Sequence, residues 1–459
     1  MFDTVITGAA AVLERTLQKS DIFISGGKIA AVKPHLKSTP KAARVIDASG
    51  KFALPGIIDP HVHFNLPVGE ITTSDDFSSG SRAAIAGGVT TVIDYAQGGR
   101  ETPLAEGVAQ RLSLMRGKMS CDYAVHCVIP AWKMLKNPAA QVKELCRDGI
   151  TSFKMFMIYA ERGMMADDAD IFEALEASKE CGALICLHAE SDAILHHFIN
   201  KYKGRGAVGH SLSRPAVTEW ESVQRAITWA GETKAHIYFV HLSAGHSAEL
   251  VESARKAGIK AMGETCPQYL TLDDSIFRRK NGHYYATCPQ VKTKRDSAIL
   301  WRELALGAVS NIATDSCTFN TAQKNRWGGD FTKIPFGIPG VETSLPLVYT
   351  NGVLKKRISI LQLSHFMSLN PAKIMGLYPR KGTLRPGADA DIVLIDPAVE
   401  KAVDYKNLQT NCDWSPYQGM KLKGWAQTVL LRGEIAAQNG IPAKSPGGQF
   451  VKRNKTTFL

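Results

Sequence analysis

The sequence predicts an α/β protein in which a (β/α)8, TIM-like barrel is inserted into a small β-sandwich built from both termini. Three observations carry this prediction. Eight short apolar, strand-like runs alternate with helical patterns through the middle of the chain. Both ends are β-rich and broken by turn residues. The length, 459 residues, exceeds one small domain and suits a barrel of about 250 residues or more with something smaller attached.

Taken in order, FDTVITGAAAVL, DIFISGGKIAAV and ARVIDASGKFAL read as strands separated by Gly-Gly, Pro and Ser-Gly, and assign residues 1–52 to the first part of the sandwich. The barrel is placed at residues 53–376. Its eight strands are expected in ALPGIIDPHVHF, VTTVIDYA, CDYAVHCVIP, ITSFKMFMIY, ALICLHAE, HIYFVHLSA, IKAMGETCP and VSNIATDS. Helical patterns such as DFSSGSRAAIAGG, DADIFEALEASKECG, AVTEWESVQRAITWAGE and SAELVESARKAG lie between them, and several end in Gly, as helix C-termini often do. A doubly wound sheet, the alternative, calls for a Gly-rich nucleotide fingerprint directly after a strand, and none of these runs is followed by one. The barrel is expected to end with ISILQLSHFMSLN and a short further helix, with Asn370 as its cap and Pro371 in its first turn. GADADIVLIDP and AQTVLLRGEIAAQ return to β character and place the second part of the sandwich at residues 377–435. Residues 436–459, with the Pro/Gly/Lys-rich stretch IPAKSPGGQFVKRNKTTFL, are expected to form a C-terminal arm, disordered or packed on a neighbouring subunit.

Composition narrows the function classes. Lys and Arg (55) exceed Asp and Glu (43), giving a net charge of +12. The basic residues are scattered, with no long basic run and no aromatic-interleaved stripe, so a nucleic-acid partner is not expected. No window offers the roughly 18 uninterrupted apolar residues of a membrane span. The N-terminus has an early Asp3 and no basic stretch, and reads as no signal peptide. The nine cysteines are odd in number and contain no C-x-x-C, which predicts reduced thiols in a cytoplasmic protein.

Polar groups at the C-terminal ends of barrel strands point into the mouth, where barrel enzymes carry their chemistry. The first strand ends in His61-Val62-His63, the fourth carries Lys154, the fifth ends in His188, the sixth in His241 and the eighth in Asp315. Residues i and i+2 share one face of a strand, so His61 and His63 can reach one metal together. Imidazoles and a carboxylate suit Zn²⁺ or a similar divalent ion. Lys154 is flanked by Phe153, Met155, Phe156 and Met157. Spacing leaves two readings of it open: a lysine snorkelling out of the mouth, or a buried amine of depressed pKa that reacts with CO2 to give a metal-bridging carbamate. Tyr159 lies in the loop after strand four, as an oxyanion donor or a lid residue. Asp315 can ligate metal, accept a proton, or both.

These motifs resemble the cyclic amidohydrolases, and within them the dihydropyrimidinase/hydantoinase branch. PGIIDPHVHF is similar to the first-strand metal motif, SFKMFMIY to the carbamylated-lysine strand with its tyrosine, and LHAE, VHLSA and ETCPQYL to strands five to seven. ATDSCTFNTAQK and GGDFTKIPFGIPGVE resemble the strand-eight region, NPAKIMGLYPRKGTLRPGADADIVLIDP the return to the sandwich, and QFVKRN the C-terminal arm. The resemblance runs almost end to end. It implies a hydrolase that opens a cyclic ureide, a dihydropyrimidine or 5-substituted hydantoin, to an N-carbamoyl amino acid. It implies two divalent metals, typically zinc, one held by His61, His63, carbamylated Lys154 and Asp315, the other by Lys154, His188 and His241. It implies that Asp315 shuttles the proton, that Tyr159 stabilises the oxyanion, and that the assembly is a homotetramer (or dimer). Cys288 stands where the branch commonly has a substrate-contacting serine, and Phe336 where it commonly has an asparagine, so both are expected at the substrate and change the size and polarity of its pocket. The loop FNLPVGEITTSDDF after His63 is the expected lid and partly resembles allantoinases, which form the alternative within enzymes; CTFNTAQK and DFTKIP favour the first reading. Asn65 occupies the place where dihydroorotases generally have an arginine. Relatives of the branch that serve as scaffolds have lost metal ligands, and here His61, His63, Lys154, His188, His241 and Asp315 are all present.

Overall fold

In the computed structural model, which describes residues 1–38, 41–444 and 447–459, eight parallel strands pair in sequence order around the barrel: Ile57–Val62, Val89–Gln97, Asp122–Val128, Ser152–Phe156, Leu184–His188, His236–Phe239, Ala261–Thr265 and Asn311–Ile312. Each falls in one of the eight apolar runs, the second extending one residue past its run to Gln97. Helices cover the outside and side chains fill the inside, so both faces of a strand are buried and its sequence reads as apolar throughout rather than alternating. The segment just beyond the last strand closes on the first through a parallel bridge between Val62 and Ser316, with the His63 amide donating to the Ser316 carbonyl at 2.9 Å. Asp76, Asp167 and Thr293 cap the helices Phe77–Ala86, Asp168–Cys181 and Lys294–Leu306, each in a reciprocal capping box.

The two chain ends meet in one nine-stranded sheet. Phe52–Pro55 from the N-terminal part pairs antiparallel with Ile392–Ile395 from the C-terminal part, Leu54 lying opposite Val393. Ile6, Ile22, Ile24, Ile392, Leu394 and Leu430 form the core of this small domain, separate from the barrel core. A buried ionic cluster joins the two units. Lys381 Nζ reaches Asp391 at 2.6 Å, Asp122 at 2.8 Å and Asp389 at 3.1 Å. Asp122 opens the third barrel strand, whereas Asp389 and Asp391 precede a sandwich strand. Arg432 also pairs with Asp122.

Two expectations are corrected. Asn370 does not start a new helix: Ile360–Ile374 is continuous, capped by Ser359, and widens at His365–Leu369 so that the Asn370 amide bonds the His365 carbonyl. The widened turn accommodates Pro371, which has no N–H to offer. The Asn370 side chain donates instead to the Ser310 carbonyl at 2.7 Å. Along its described residues the tail is not free. Glu434–Gln438 and Ile441–Pro442 extend the sandwich sheet, and residues 447–459 pack on the chain's own barrel at the N-terminal ends of its strands. There the Tyr123 amide donates to the Gln449 carbonyl and the Val451 amide to the Tyr123 carbonyl. Arg453 is buried, donating to Ser152 Oγ at 2.8 Å and to the Val125 carbonyl at 2.6 Å. These bonds pair both terminal nitrogens of the guanidinium inside the protein, so a basic composition here does not mean a solvated segment. Ser445 and Pro446 of the expected arm lie outside the described residues. No helix among the described residues is long and apolar enough to cross a membrane.

Candidate active site

Barrel closure builds the site. His61 ends the inward-facing positions of the first strand and His63 follows it, while Asp315 comes three residues after the last strand, in the left-handed region at φ +51°. His61 Nε2 and His63 Nε2 both lie 3.1 Å from Asp315 Oδ1. His241 follows the sixth strand, also left-handed at φ +41°. Its ring centroid is 5.3 Å from that of His61 and 4.6 Å from that of His188, the last residue of the fifth strand. Lys154 is 2% exposed, its Nζ 5.0 Å from the Phe156 ring centre and 5.7 Å from that of Tyr95. Among the described residues no carboxylate pairs with it. The mouth thus brings together all six residues predicted as ligands, with His61, His63 and Asp315 in the tightest group.

The electrostatics fit a cation. Burial pushes Lys154 down to about 8, and holds His63, His188 and His241 below the usual imidazole value, hence neutral. Burial works against the charge on His61 too, but Glu264 and Asp315 raise it to about 9. Burial likewise opposes ionisation of Asp315, but His61 and His63 hold it well below the carboxylate range. His63 Nδ1 and His241 Nδ1 are buried and have no hydrogen-bond partner among the described residues. Neutral imidazoles beside an ionised carboxylate, with ring nitrogens lacking protein partners, match the donor set of Zn²⁺ or a similar divalent ion.

Sequence reasoning did not single out the residues that orient these ligands. Glu264, at the end of strand seven, is fully buried and accepts from His61 Nδ1, from Tyr238 Oη at 2.6 Å and from the His241 amide at 3.2 Å. One carboxylate therefore fixes the His61 ring, turning Nε2 toward Asp315 and the mouth, and anchors the backbone of His241. The strand-end rule that found the histidines points to Glu264 as well, inside ETCPQYL. Replacing Glu264 with Gln is expected to weaken metal binding about 10–100-fold, measured by competition with a chromophoric chelator. Asp59 accepts from the His61 and Thr314 amides, both at 3.1 Å, and from Thr314 Oγ1 at 2.6 Å, fastening the first strand to the segment that bears Asp315. Glu190 accepts from His188 Nε2 at 2.8 Å and from the buried Arg214 at 2.6 Å. Burial opposes its charge, but Arg214 and His188 keep it ionised.

On the open side, Tyr159 sits at φ +74° with its amide on Asp192 Oδ1 at 3.0 Å. Its hydroxyl donates to Cys288 Sγ at 2.9 Å, and the thiol faces Glu190 Oε2 at 3.4 Å. Burial raises the Tyr159 hydroxyl well above its usual value and the Cys288 thiol to about 12, so both stay protonated. Phe336 packs on His210 with ring centres 4.9 Å apart, and the Arg214 guanidinium lies 5.4 Å from its centre. Tyr159, Arg214, Phe331 and Phe336 line a cavity of about 350 Å³. The loop after His63 folds into a small hairpin, Pro67–Val68 with Ile71–Thr72. It leans on the segment beyond strand eight, where Gln323 donates to the Thr72 carbonyl at 2.7 Å.

The chain is similar along nearly its whole length to known proteins. The profile of the amidohydrolase family matches residues 52–436. A D-hydantoinase of Geobacillus stearothermophilus is 36% identical over 460 residues, covering 98% of this chain and 96% of the relative. A D-phenylhydantoinase of Escherichia coli O1:K1 / APEC is 34% identical, covering 95% of each chain. The crystal structure of a dihydropyrimidinase from Brevibacillus agri NCHU1002 superposes with a TM-score of 0.94 at 34% identity, covering 100% of both chains.

Proposed function

The chain belongs to the amidohydrolase family and is a cyclic amidohydrolase of the hydantoinase/dihydropyrimidinase type; on that premise we propose how its residues open a cyclic ureide to an N-carbamoyl amino acid. The observation that carries the reading is the convergence of His61 and His63 on Asp315 at 3.1 Å each, with His188, His241 and the buried Lys154 alongside. His61, His63, Asp315 and Lys154, the last as its carbamate, would hold one divalent ion, and Lys154, His188 and His241 a second, with Zn²⁺ the ion this donor set suits. When bound, such a pair polarises the amide carbonyl and lowers the pKa of water.

The chain's own groups do the rest. Asp315 remains ionised, fixed by two imidazoles, and its side chain is 12% exposed to the mouth. It takes the proton of the attacking water and passes it to the departing ring nitrogen. Tyr159 keeps its proton and turns its hydroxyl from Cys288 to the oxyanion that develops on the carbonyl. Cys288 parks that hydroxyl between turnovers, and a thiol is a weaker partner than an alcohol, so the hydroxyl is released readily. Phe336 gives the ring pocket an aromatic wall. Tyr159→Phe is expected to lower kcat about 10²–10³-fold while leaving metal content unchanged, read from steady-state kinetics with elemental analysis of the same sample.

The test of the function is a hydrolysis panel on the zinc-loaded protein with dihydrouracil, hydantoin, 5-phenylhydantoin and allantoin. Turnover of a hydantoin or dihydropyrimidine ahead of allantoin is expected; no turnover of any of them with both metals bound would overturn the reading. We take residues 53–376 as the barrel unit, on the sheet pairing that brackets it. A homotetramer or dimer, supported by the resemblance, is checked by light scattering. A cytoplasmic site, supported by the nine cysteines without a C-x-x-C pattern, is checked by fractionation.

A further inference from the structure

At the floor of the barrel, opposite the mouth, two cysteines face each other. Cys146 lies in the last turn of the helix Pro138–Arg147 and Cys181 ends the helix Asp168–Cys181. Their sulfurs are 3.1 Å apart, and both residues are only half-buried. Each helix is followed by a glycine in the left-handed region, Gly149 at φ +89° and Gly182 at φ +71°, where the chain turns into the next barrel strand. Those strands are Ser152–Phe156 and Leu184–His188, which bear Lys154 and His188. The C-terminal segment runs over both turns: a side chain at Gly149 would meet Lys452 at 2.8 Å and one at Gly182 would meet Lys455 at 2.9 Å.

We propose that Cys146 and Cys181 are an oxidisable dithiol, a modification site whose disulfide ties together the turns that launch the Lys154 and His188 strands. The remaining cysteines do not compete on equal terms. Cys121, Cys127, Cys186, Cys266, Cys317 and Cys412 are buried, and Cys288, half-buried like the pair, faces Tyr159 and Glu190 in the mouth rather than a second thiol. Within the pair, the hydrogen bond from the Cys146 thiol lowers Cys181 to about 7, which marks Cys181 as the sulfur that attacks. With hydrogen peroxide as oxidant, the Cys181 thiolate takes one oxygen as the O–O bond breaks, giving a sulfenic acid and, with a proton, one water. The Cys146 thiol then attacks that sulfur, the S–S bond forms, and the sulfenic oxygen leaves as a second water. Two thiols lose two electrons and two protons, and one peroxide takes them up.

The experiment treats the metal-loaded, full-length protein with dilute hydrogen peroxide and maps its thiols by mass spectrometry of a digest. One cross-linked peptide pair joining Cys146 to Cys181, lighter by two hydrogens, is expected, with metal content retained and the melting temperature raised by several degrees. In Cys146→Ser, dimedone should trap a sulfenic acid at Cys181; in Cys181→Ser, Cys146 should stay unlabelled. Cross-links between other cysteines, or free thiols at both positions after Cys288 has been oxidised, would overturn the site. A cross-link that forms without raising the melting temperature would overturn its role as a tie between the two turns.

Discussion

Lys154→Ala is expected to strip the protein of its metals and lower kcat/KM by about 10⁴-fold or more, with little change in the fold. The expectation rests on the place of Lys154 in the mouth. It is 2% exposed, faces aromatic rings, and has no carboxylate partner among the described residues. A lysine that merely lent its stem to packing would be replaced at small cost. A lysine proposed as ligand to both ions leaves each with an incomplete set, so metal content and activity should fall together. Elemental analysis, circular dichroism and a hydantoin assay on one preparation separate the outcomes. Retention of both metal and activity would discard the carbamate. Recovery of activity on adding a short carboxylic acid with bicarbonate-free zinc would support the view that a carboxylate is what the alanine variant lacks.

The second large effect is on stability, far from the chemistry. Lys381→Met is expected to destabilise the protein by about 3–5 kcal/mol. Burial alone would discharge Lys381, yet Asp391, Asp122 and Asp389 hold its ammonium above the usual lysine range. Methionine keeps the length of the side chain and removes the charge that all three carboxylates share. Arg432 still serves Asp122, and Lys28 and Arg380 still serve Asp389. Asp391, buried and already pushed upward by desolvation, is left without its cation. The denaturation midpoint should fall, while activity per folded molecule at low temperature should not. An unchanged midpoint would mean that the peripheral cations suffice.

What the sequence disclosed follows from where its signals are local. All eight barrel strands were legible because a strand buried on both faces is a short apolar run, and the proposed ligands stood out as polar residues within or just after five of those runs. Asn311–Ile312 is the shortest of the eight. Beyond it the chain leaves the ladder to set Asp315 at positive φ, a local strain that apolar patterning does not report. Glu264 and Glu190 escaped because a buried carboxylate is justified only by its partners, His61 and Tyr238 for one, His188 and Arg214 for the other. Apart from His188, two residues before Glu190, those partners lie 24 to 203 residues away. Of the aspartates around Lys381, Asp391 is ten residues on, but Asp122, which ties the lysine to the barrel, is 259 residues away. The tail was misjudged because Arg453 looks like a solvated charge until Ser152 and the Val125 carbonyl are found beside it.

The antiparallel pair of Phe52–Pro55 with Ile392–Ile395 has a kinetic consequence. Ala53 and Leu394 are direct partners across the whole length of the barrel sequence. During synthesis the N-terminal strands emerge first, and Phe52–Pro55 must wait, with one edge unpaired, until some 340 residues have followed; at about 5–20 residues per second that is roughly half a minute. A waiting apolar edge invites pairing with another chain. The small sheet is thus the last part of the molecule to be completed and the most exposed to capture by its neighbours. The yield of folded protein should therefore depend on temperature and expression rate more steeply than its final stability would suggest.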